Sequence, residues 1–433
     1  MALFRSRRIR SIIGLTAALA GCIALSGCGG ESGPPTLTWY INPDNGGQAI
    51  RAQQCADASG GAYQVDIQVL PTDATSQREQ LVRRLAAQDS SIDVMSLDVV
   101  YTAEFANAGF LRPYTPDEQA KLTAGMLPAP IETGMWKDTL YAAPIKSNAQ
   151  LLWYRKSLVA QAGVDPNSPT FTWDDMQRAA DSQGKKISLQ GARYEGYMVW
   201  INALVLSGGG QVITNAEAGR DAVPSMAGPA GDKAAQIVGT LARSQAAPSN
   251  LTVAQEEQGR AVFQGNEGMF MANWPYIYAA ARTAVQEGTL SQAVVDDIGW
   301  ARYPRVFADR PSAPPLGGAN MAIGAYSKHP ELAAQLALCA TSVEKATQYM
   351  LDEGEPSPYA ASYDDPKVRE QYPNADLIRE SIAEGGPRPI TPFYVDVAGS
   401  VINTWHPANS VGPGTPADTD AFMAEVLSGR RLL

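Results

Sequence analysis

The chain has 433 residues, a formal net charge of −10 and two histidines. The acidic excess argues against nucleic acid as a partner, because too few cations would be free to neutralise phosphates. The small number of histidines argues against a Ser-His-Asp mechanism and against a histidine-based metal site. A chain of this length exceeds the usual single hydrophobic core, so we expect two lobes.

The N-terminus has the pattern of an export signal. Arginines cluster in the first ten residues and are followed by an uncharged stretch at residues 11–30. Its apolar part is too short to span a bilayer, which is typical of a signal peptide. No later stretch is long and apolar enough to span a membrane. We therefore predict a signal over residues 1–27 and an extracytoplasmic location.

A lipid-attachment motif, LSGC, ends this signal at residues 25–28. In bacterial lipoproteins such a cysteine receives a diacylglycerol, and the chain is cut just before it. A second copy ends at Cys22, but the Gly, Ser and Pro-rich tether at residues 28–35 favours Cys28. Two acyl chains would hold the protein stably on the cell membrane. The alternative is an ordinary secretory signal with chance cysteines.

Two cysteines, Cys55 and Cys339, follow the signal. They form neither a CxxC motif nor a metal-binding spacing. Disulfides persist outside the cytoplasm, so we predict a bridge between them that ties an early helix to a late one. The alternative is two separate buried thiols.

Strands and helices alternate in the first third of the chain, which predicts a parallel α/β sheet. Period-two and helical periodicity predict strands at 36–41, 63–70 and 92–97, and helices at 48–58, 79–88 and 99–108. An extended apolar stretch at 140–154 is expected to carry the first crossover between lobes.

The second lobe is predicted to begin after this crossover. Thr172 is a suitable N-cap for a helix that begins at Trp173. Further helices are predicted at 195–206, 229–243, 256–263 and 275–285, with a buried strand at 269–272. A strand at 298–303 is expected to return to the first lobe, followed by a strand at 320–325 and a helix at 330–342.

The predicted fold class is therefore α/β with two lobes, each a mostly parallel sheet flanked by helices, and a ligand cleft between them. The N-terminal lobe is expected to comprise residues 36–143 with about 298–353. The C-terminal lobe is expected to comprise residues 144–297 with about 354–433.

Familiar catalytic and cofactor motifs are missing from the sequence. It has no P-loop, GxGxxG, HExxH or GxSxG motif. Two S-x-x-K matches, at Ser182 and Ser342, lack the companion motifs of the enzymes that use them and are interpreted as chance. We expect no metal, no cofactor and no catalysis.

Aromatic and planar polar side chains occur near the predicted ends of several elements, a pattern that favours sugar binding. Aromatic rings cover the apolar faces of a pyranose, while carboxylate, amide and guanidinium groups bind adjacent hydroxyls. Ligands of open α/β sheets lie beyond the carboxyl ends of strands. Asp98, Asn148 and Trp274 fall at such ends.

The chain resembles the sugar-binding family of extracellular solute-binding proteins, which includes maltose and trehalose binders. The resemblance covers nearly the whole chain after residue 36. It rests on the lipid-attachment motif, DVMSLDVVYTAEFA at 93–106 and AAPIKSN at 142–148. The segments NAQLLWY at 148–154, VWIN at 199–202, ANWP at 272–275, GGAN at 317–320 and RPITP at 388–392 resemble the trehalose-binding lipoproteins of mycobacteria.

The resemblance implies a type II periplasmic-binding-protein-like fold and a monomer that delivers sugar to the permease subunits of an ABC importer. It also implies the ligand contacts, which are Asn45, Asp98, Asn148, Glu256, Trp274, Arg388 and backbone groups at Gly318 and Ala319.

Three departures from the trehalose-binding pattern concern the rim of this site. Asn45 stands in place of Asp, Ala319 in place of Leu, and the stretch between residues 300 and 317 is shorter. The expected ligand is trehalose or a related α-glucoside disaccharide. A different cargo, either an oligosaccharide or a glycerophosphodiester, is the alternative; an exported glycoside hydrolase or a structural envelope lipoprotein are alternatives from other classes.

Each candidate residue also has a purely structural interpretation. Asp98 suits a helix N-cap, and Asn45 and Asn148 suit turns. Trp274 suits a hydrophobic core, whereas Glu256 and Arg388 suit a solvated surface.

Overall fold

The computed structural model describes residues 33–433, of which residues 35–433 form one unit. The signal and the lipid-attachment motif with Cys22 and Cys28 lie outside the described residues, so their processing stays a prediction. Within residues 33–433, no helix combines the length and apolar character needed to cross a bilayer.

The chain up to residue 149 builds most of a six-stranded sheet. The predicted alternation of strands and helices is confirmed here, and α2 begins earlier than expected because Asp73 caps it by accepting from the Ser76 amide. The elements are β1 Thr36–Ile41, α1 Gly47–Ala58, β2 Gln64–Val69, α2 Ala74–Ala86, β3 Val94–Asp98, α3 Thr102–Asn107, β4 Leu111–Arg112, α4 Pro116–Thr123, α5 Pro128–Thr133, β5 Met135–Trp136, β6 Thr139–Leu140 and β7 Ala142–Ala149.

The next part of the chain, up to residue 301, builds a four-stranded sheet in the order β13-β8-β12-β9. Thr172 caps α7 as predicted, because its hydroxyl accepts from the Asp175 amide. The elements are β8 Leu151–Arg155, α6 Lys156–Ala162, α7 Trp173–Ser182, β9 Lys186–Ser188, α8 Glu195–Ser207, β10 Ile213–Thr214, β11 Val223–Pro224, α9 Pro229–Arg243, α10 Glu256–Gln264, β12 Gly268–Asn273, α11 Tyr276–Gln286, α12 Gln292–Asp296 and β13 Ile298–Ala301.

The last part of the chain adds one strand and six helices. β14 inserts into the first sheet and pairs with β3 and β7. α17 and α18 pack with α8 and α9 of the second lobe, whereas α16 packs on β7 and α5 of the first. The elements are β14 Leu316–Gly324, α13 Pro330–Ala340, α14 Val343–Glu353, α15 Pro366–Gln371, α16 Ala375–Ala383, α17 Tyr394–Trp405 and α18 Thr415–Leu427.

The strand pairings correct two expected lobe boundaries. The strand expected at 298–303 does not return to the first lobe, because β13 pairs with β8 at the edge of the second sheet. β7 pairs with β14 up to Ala149, so the first crossover lies at Gln150 and not at residue 143. Apolar alternation shows that a strand is buried, but it does not show which sheet the strand joins.

The two-lobed α/β architecture is confirmed, but both sheets are mixed and not mostly parallel. β14 runs antiparallel to β3, β4 and β7, and β8 runs antiparallel to β12 and β13. A strand that arrives from the other lobe does not follow a helical crossover, so nothing requires it to be parallel to its neighbour.

A disulfide joins Cys55 of α1 to Cys339 of α13, with Cα atoms 5.8 Å apart. Cys55 is buried in the core of the first lobe, where α1 and α13 pack together. The bridge therefore connects residues that are 284 positions apart in the sequence but belong to one lobe.

Candidate ligand-binding cleft

A cavity of about 500 Å³ lies between the two sheets. Its walls come from the ends of β3 and β7 and the start of α2 on one side. On the other side they come from the starts of α8 and α10 and the end of β12. The lining residues are Thr72, Asp73, Ala74, Asp98, Lys146, Asn148, Tyr194, Glu195, Gly196, Val199, Gln255, Glu256, Trp274, Tyr276, Gly317, Gly318, Glu355 and Arg388.

Arg388 connects the two sides of this cleft. Its Nη1 donates to Glu195 at 2.6 Å and its Nη2 donates to Asp98 at 3.1 Å. The arginine side chain is only 5% exposed. Burial alone would lower the pKa of Arg388, but the charges of Asp98 and Glu195 and the Tyr394 phenol raise it above its ordinary value. The guanidinium is therefore a permanent cation in the wall of the cleft.

Glu195 and Asp98 differ in their surroundings. Burial raises the pKa of Glu195, although Arg388 and a hydrogen bond from the Tyr394 hydroxyl act in the opposite direction. Asp98 accepts from the Val100 amide at 3.3 Å, so the N-cap interpretation of this residue is also met. One carboxylate thus ends β3, caps the following turn and contacts Arg388.

Trp274 follows β12 and forms part of the cleft beside Gly317. The indole is half-buried and not enclosed in the core. A Cβ added at Gly317 would lie 2.9 Å from the indole and 2.6 Å from Asn148 Oδ1. Gly318 has a φ of 134° and its added Cβ would lie 2.4 Å from the Lys146 carbonyl oxygen. These two glycines allow the ring and the amide to approach the backbone closely.

Lys146 and Asn148 of β7 both contact Glu355. Lys146 Nζ lies 2.8 Å from Glu355 Oε1, and Asn148 Nδ2 donates to Oε2 at 3.2 Å. Asn148 Oδ1 is buried and has no hydrogen-bond partner among the described residues. The Tyr194 hydroxyl and Arg388 Nε are also buried and also lack a partner there. Because an unpaired buried polar atom is costly, these atoms suit a ligand that carries hydroxyl groups.

Glu256 lies in the first turn of α10, where the helix dipole favours a carboxylate. Burial raises its pKa, while the Tyr194 and Trp274 side chains oppose this rise. The Tyr194 hydroxyl faces Glu256 without the geometry of a regular hydrogen bond. The next residue, Glu257, instead pairs with Arg260 and accepts from the Tyr276 hydroxyl at 2.6 Å.

A chain of buried amides supports the floor of the cleft. Gln150 Nε2 donates to Gln190 Oε1 at 2.8 Å, and Gln190 Nε2 donates to Asn273 Oδ1 at 3.2 Å. Asn273 Nδ2 then donates to the Glu256 carbonyl at 3.2 Å, while Asn273 Oδ1 accepts from the Trp274 amide at 2.8 Å. The crossover residue Gln150 is therefore connected to two cleft-lining residues, Glu256 and Trp274.

Six of the eight residues expected in the site line the cleft, and two do not. Asn45 lies outside it, because its backbone and side-chain nitrogens both donate to Glu353 at 3.0 Å. The Ala319 side chain is buried in the first-lobe core and is absent from the lining, since neighbouring residues of a strand face opposite sides and Gly318 takes the cleft side; the expected contact through its backbone groups stays a prediction. The six that line the cleft are Asp98, Asn148, Glu256, Trp274, Gly318 and Arg388.

Several lining residues were not predicted from the sequence. Tyr194 precedes the predicted helix at 195–206 and Glu195 begins it, and an acidic residue in a first helical turn is an ordinary stabilising feature. Glu355 lies in a loop with no motif of its own. For Tyr194 and Glu195, the one usable sequence signal was their place at the predicted N-terminus of α8.

Comparison with known proteins places this geometry in a family. The chain matches the family model of the bacterial extracellular solute-binding proteins over residues 48–347. It is similar to a probable ABC transporter-binding protein of Deinococcus radiodurans, with 27% identity over 444 residues covering 98% of this chain and 93% of the relative.

Two solved structures have the same fold. Maltose-bound MalE3 of T. maritima has a TM-score of 0.77 at 24% identity, covering 92% of this chain and all of the other. The GacH receptor of Streptomyces glaucescens, solved unliganded and with acarbose, has a TM-score of 0.74 at 16% identity, covering 91% and 99%. With the family model matching most of its length, this chain belongs to the bacterial extracellular solute-binding proteins.

Proposed function

We propose that this protein captures trehalose or a related α-glucoside disaccharide and delivers it to the permease of an ABC importer. The observation that carries the proposal is the half-buried Trp274 ring beside carboxylate, amide and guanidinium groups in one cleft between two lobes. A cavity of about 500 Å³ lies within the range of small-molecule sites.

The polar atoms of the cleft support a ligand with many hydroxyl groups. Trp274 offers an aromatic face for the apolar side of a pyranose. Asn148 Oδ1, the Tyr194 hydroxyl and Arg388 Nε have no partner among the described residues and match hydroxyl donors and acceptors. Asp98 and Glu195 share Arg388, so both are engaged in ion pairs, which favours binding over the acid-base pair of a hydrolase.

The choice of trehalose rests on the resemblance to LpqY, the mycobacterial trehalose-binding lipoprotein. All five of its resembling segments contribute to the cleft or its wall, at residues 148–154, 199–202, 272–275, 317–320 and 388–392. The related structures were solved with maltose and acarbose, which supports an α-linked sugar as the class of cargo. The family's extracellular description supports an extracytoplasmic location, and the motif at residues 25–28 supports an anchor at Cys28.

A longer oligosaccharide is the second candidate, because another cavity adjoins the cleft. This cavity of about 590 Å³ also borders Arg388, and Trp136 and Asn202 lie in its wall. Among residues 33–433, Arg388 is the one residue that lines both cavities, so a sugar chain would place further units in the second one only if Arg388 separates from Asp98 or Glu195.

A thermal-shift screen tests the proposal with trehalose, maltose, sucrose, a maltodextrin and a glycerophosphodiester. A ligand that binds the folded state raises the melting temperature, and trehalose or another α-glucoside disaccharide is expected to raise it most. A larger shift with the maltodextrin would support the oligosaccharide. Shifts with the glycerophosphodiester alone, or glucose release from the disaccharide, would contradict the proposed function.

A further inference from the structure

The charged groups of the cleft are unevenly distributed. Five carboxylates and two cations line it, and both cations are already paired. Arg388 contacts Asp98 and Glu195, while Lys146 contacts Glu355. The cleft therefore has no cation free to receive an anionic ligand among the residues that the structure describes.

Among the carboxylates that line the cleft, Glu256 is the one that is partly buried and has no basic partner within residues 33–433. No Lys, Arg or His lies within ion-pair distance of it, whereas the adjacent Glu257 pairs with Arg260. The groups that face Glu256 are its own backbone amide, the neutral Tyr194 hydroxyl and the Trp274 side chain, and in the described part of the chain the only charged group among them is the neighbouring Glu257 carboxylate. Its backbone is held by the Asn273 side chain at 3.2 Å, so the carboxylate has a defined place.

A protonated amine on a bound sugar would suit the Glu256 carboxylate and the Tyr194 hydroxyl, which can both accept its hydrogen bonds. It would give Glu256 a counter-ion in a partly buried site, where an ion pair is screened less than on the surface. The Tyr194 hydroxyl, which has no partner in the described part of the chain, can accept one of its hydrogen bonds.

We infer that the cleft selects its ligand by charge. It binds a sugar in which a protonated amino group replaces a hydroxyl more tightly than the neutral parent sugar, with Glu256 as the specificity-determining counter-ion, and it rejects sugars that carry a phosphate. The inference rests on the proposed function, because it assigns the substrate class of the same cleft.

Calorimetric titration of the full soluble chain near neutral pH tests the inference with ligands of one skeleton. The ligands are trehalose, its 2-, 3-, 4- and 6-aminodeoxy derivatives and trehalose 6-phosphate. At least one amino sugar is expected to bind about tenfold tighter than trehalose, since a charge-assisted hydrogen bond exceeds a neutral one by that order. The phosphate is expected to bind at least about tenfold more weakly.

Variants of two neighbouring residues, Glu256 and Glu257, test whether the preference for the amino sugar depends on Glu256. Glu256→Gln is expected to bring the affinity ratio of amino sugar to trehalose close to one, while Glu257→Gln leaves the ratio unchanged. Circular dichroism and the melting temperature of each variant report folding, and Glu256→Asp keeps the charge if the glutamine variant is poorly folded. The aspartate variant is expected to retain part of the preference.

The outcomes separate this inference from the proposed function. Equal or weaker binding of every amino sugar, tight binding of the phosphate, or a preference that survives Glu256→Gln would overturn the charge selection alone. A protein that binds neither trehalose nor any amino derivative would overturn the choice of trehalose in the proposed function. In that case the charge selection is tested with the neutral disaccharide that the thermal-shift screen identifies. It would be overturned if this disaccharide binds more tightly than its own amino derivative.

Discussion

At the scale of single residues, the shape of the cleft depends on close contacts that leave no room for an additional side chain. The Trp274 indole and the Asn148 amide lie against the backbone of Gly317, where any side chain would enter them. Glu256 and Glu257 are neighbours on one helix, yet the first faces the cleft and the second pairs with Arg260. Residue type alone does not distinguish these two carboxylates, because their roles follow from the direction in which the helix presents them.

Replacing Trp274 with alanine is expected to weaken sugar binding at least about tenfold, or about 1.4 kcal/mol, because the stacking face is lost. Calorimetric titration measures the change. Trp300→Ala is the matched control, since Trp300 is also partly exposed but lies on β13 outside the cleft. Equal affinities of wild type and Trp274→Ala would remove this ring from the site.

Replacing Gly317 with alanine is expected to reduce sugar affinity by about tenfold or more. The new Cβ would lie 2.6 Å from Asn148 Oδ1 and 2.9 Å from the indole, so both side chains must move from the positions that face the ligand. Gly412→Ala is the control, because a Cβ there meets no atom within 4 Å. If the two variants bind sugar equally well, Gly317 does not shape the cleft.

Glu256→Gln is expected to stabilise the ligand-free protein at neutral pH while it changes ligand binding. Burial raises the folded-state pKa of Glu256 above the ordinary value of 4.5, so the ionised form is less favourable in the folded state. The gain in melting temperature is therefore present above this raised pKa and disappears as the pH falls below 4.5.

Glu257→Gln should show the opposite sign in the same scans. Arg260 and the Tyr276 hydroxyl lower the pKa of Glu257 in spite of its burial, so its ionised form contributes stability at neutral pH. Melting temperatures of both variants across the acidic range measure the difference. A loss of stability at neutral pH in Glu256→Gln would contradict the assigned surroundings of that carboxylate.

At the scale of elements, the amide chain connects a crossover strand with the floor of the cleft. Gln150 lies between β7 of one sheet and β8 of the other, and Asn273 ends β12 directly before Trp274. Gln150, Gln190 and Asn273 are each less than 5% exposed, so their hydrogen bonds are protected from water. The two elements are therefore positioned by one set of contacts.

Gln190→Met is expected to lower stability by about 1–3 kcal/mol, because it leaves the buried Gln150 Nε2 without its acceptor and removes one of the two donors to Asn273 Oδ1. It is also expected to weaken sugar binding severalfold, since Trp274 and Glu256 lose their support. Gln48→Met is the control, as Gln48 is a buried, hydrogen-bonded glutamine of the first lobe. Both variants should lose stability, but only Gln190→Met should lose affinity beyond what unfolding explains.

At the scale of the whole molecule, side-chain contacts at the cleft and behind it join the two lobes. Asp98 of the first sheet meets Arg388 beside α8 of the second lobe. The Tyr101 ring meets the Tyr394 ring edge to face, with centroids 6.1 Å apart. The disulfide, in contrast, lies within the first lobe between α1 and α13.

Replacing both Cys55 and Cys339 with serine is expected to lower the free energy of unfolding by about 2–4 kcal/mol, mainly because the unfolded chain gains freedom. Sugar affinity is expected to stay within about twofold, because neither cysteine lines the cleft. Chemical denaturation and calorimetric titration measure the two quantities. A large loss of affinity in a folded variant would show that this bridge also holds the cleft.

The sequence by itself determined the elements and much of the candidate site. Local patterning predicts α7 with its Thr172 cap, the helix at 229–243 and the first strand, because caps and hydrophobic periodicity act over a few residues. The resemblance to a known family supplied Asp98, Glu256, Trp274 and Arg388 as residues of one cleft. These are properties of short segments and of motifs spread along the chain.

Only the tertiary structure decided how these segments meet. The sheet that β13 joins, the direction of β14 and the exclusion of Asn45 and Ala319 from the cleft depend on pairing between residues far apart in the sequence. Glu195 and Glu355 belong to the cleft because Arg388 and Lys146 approach them from distant parts of the chain. Strand register and ion pairing depend on how two surfaces from distant parts of the chain fit together. No single segment specifies that fit.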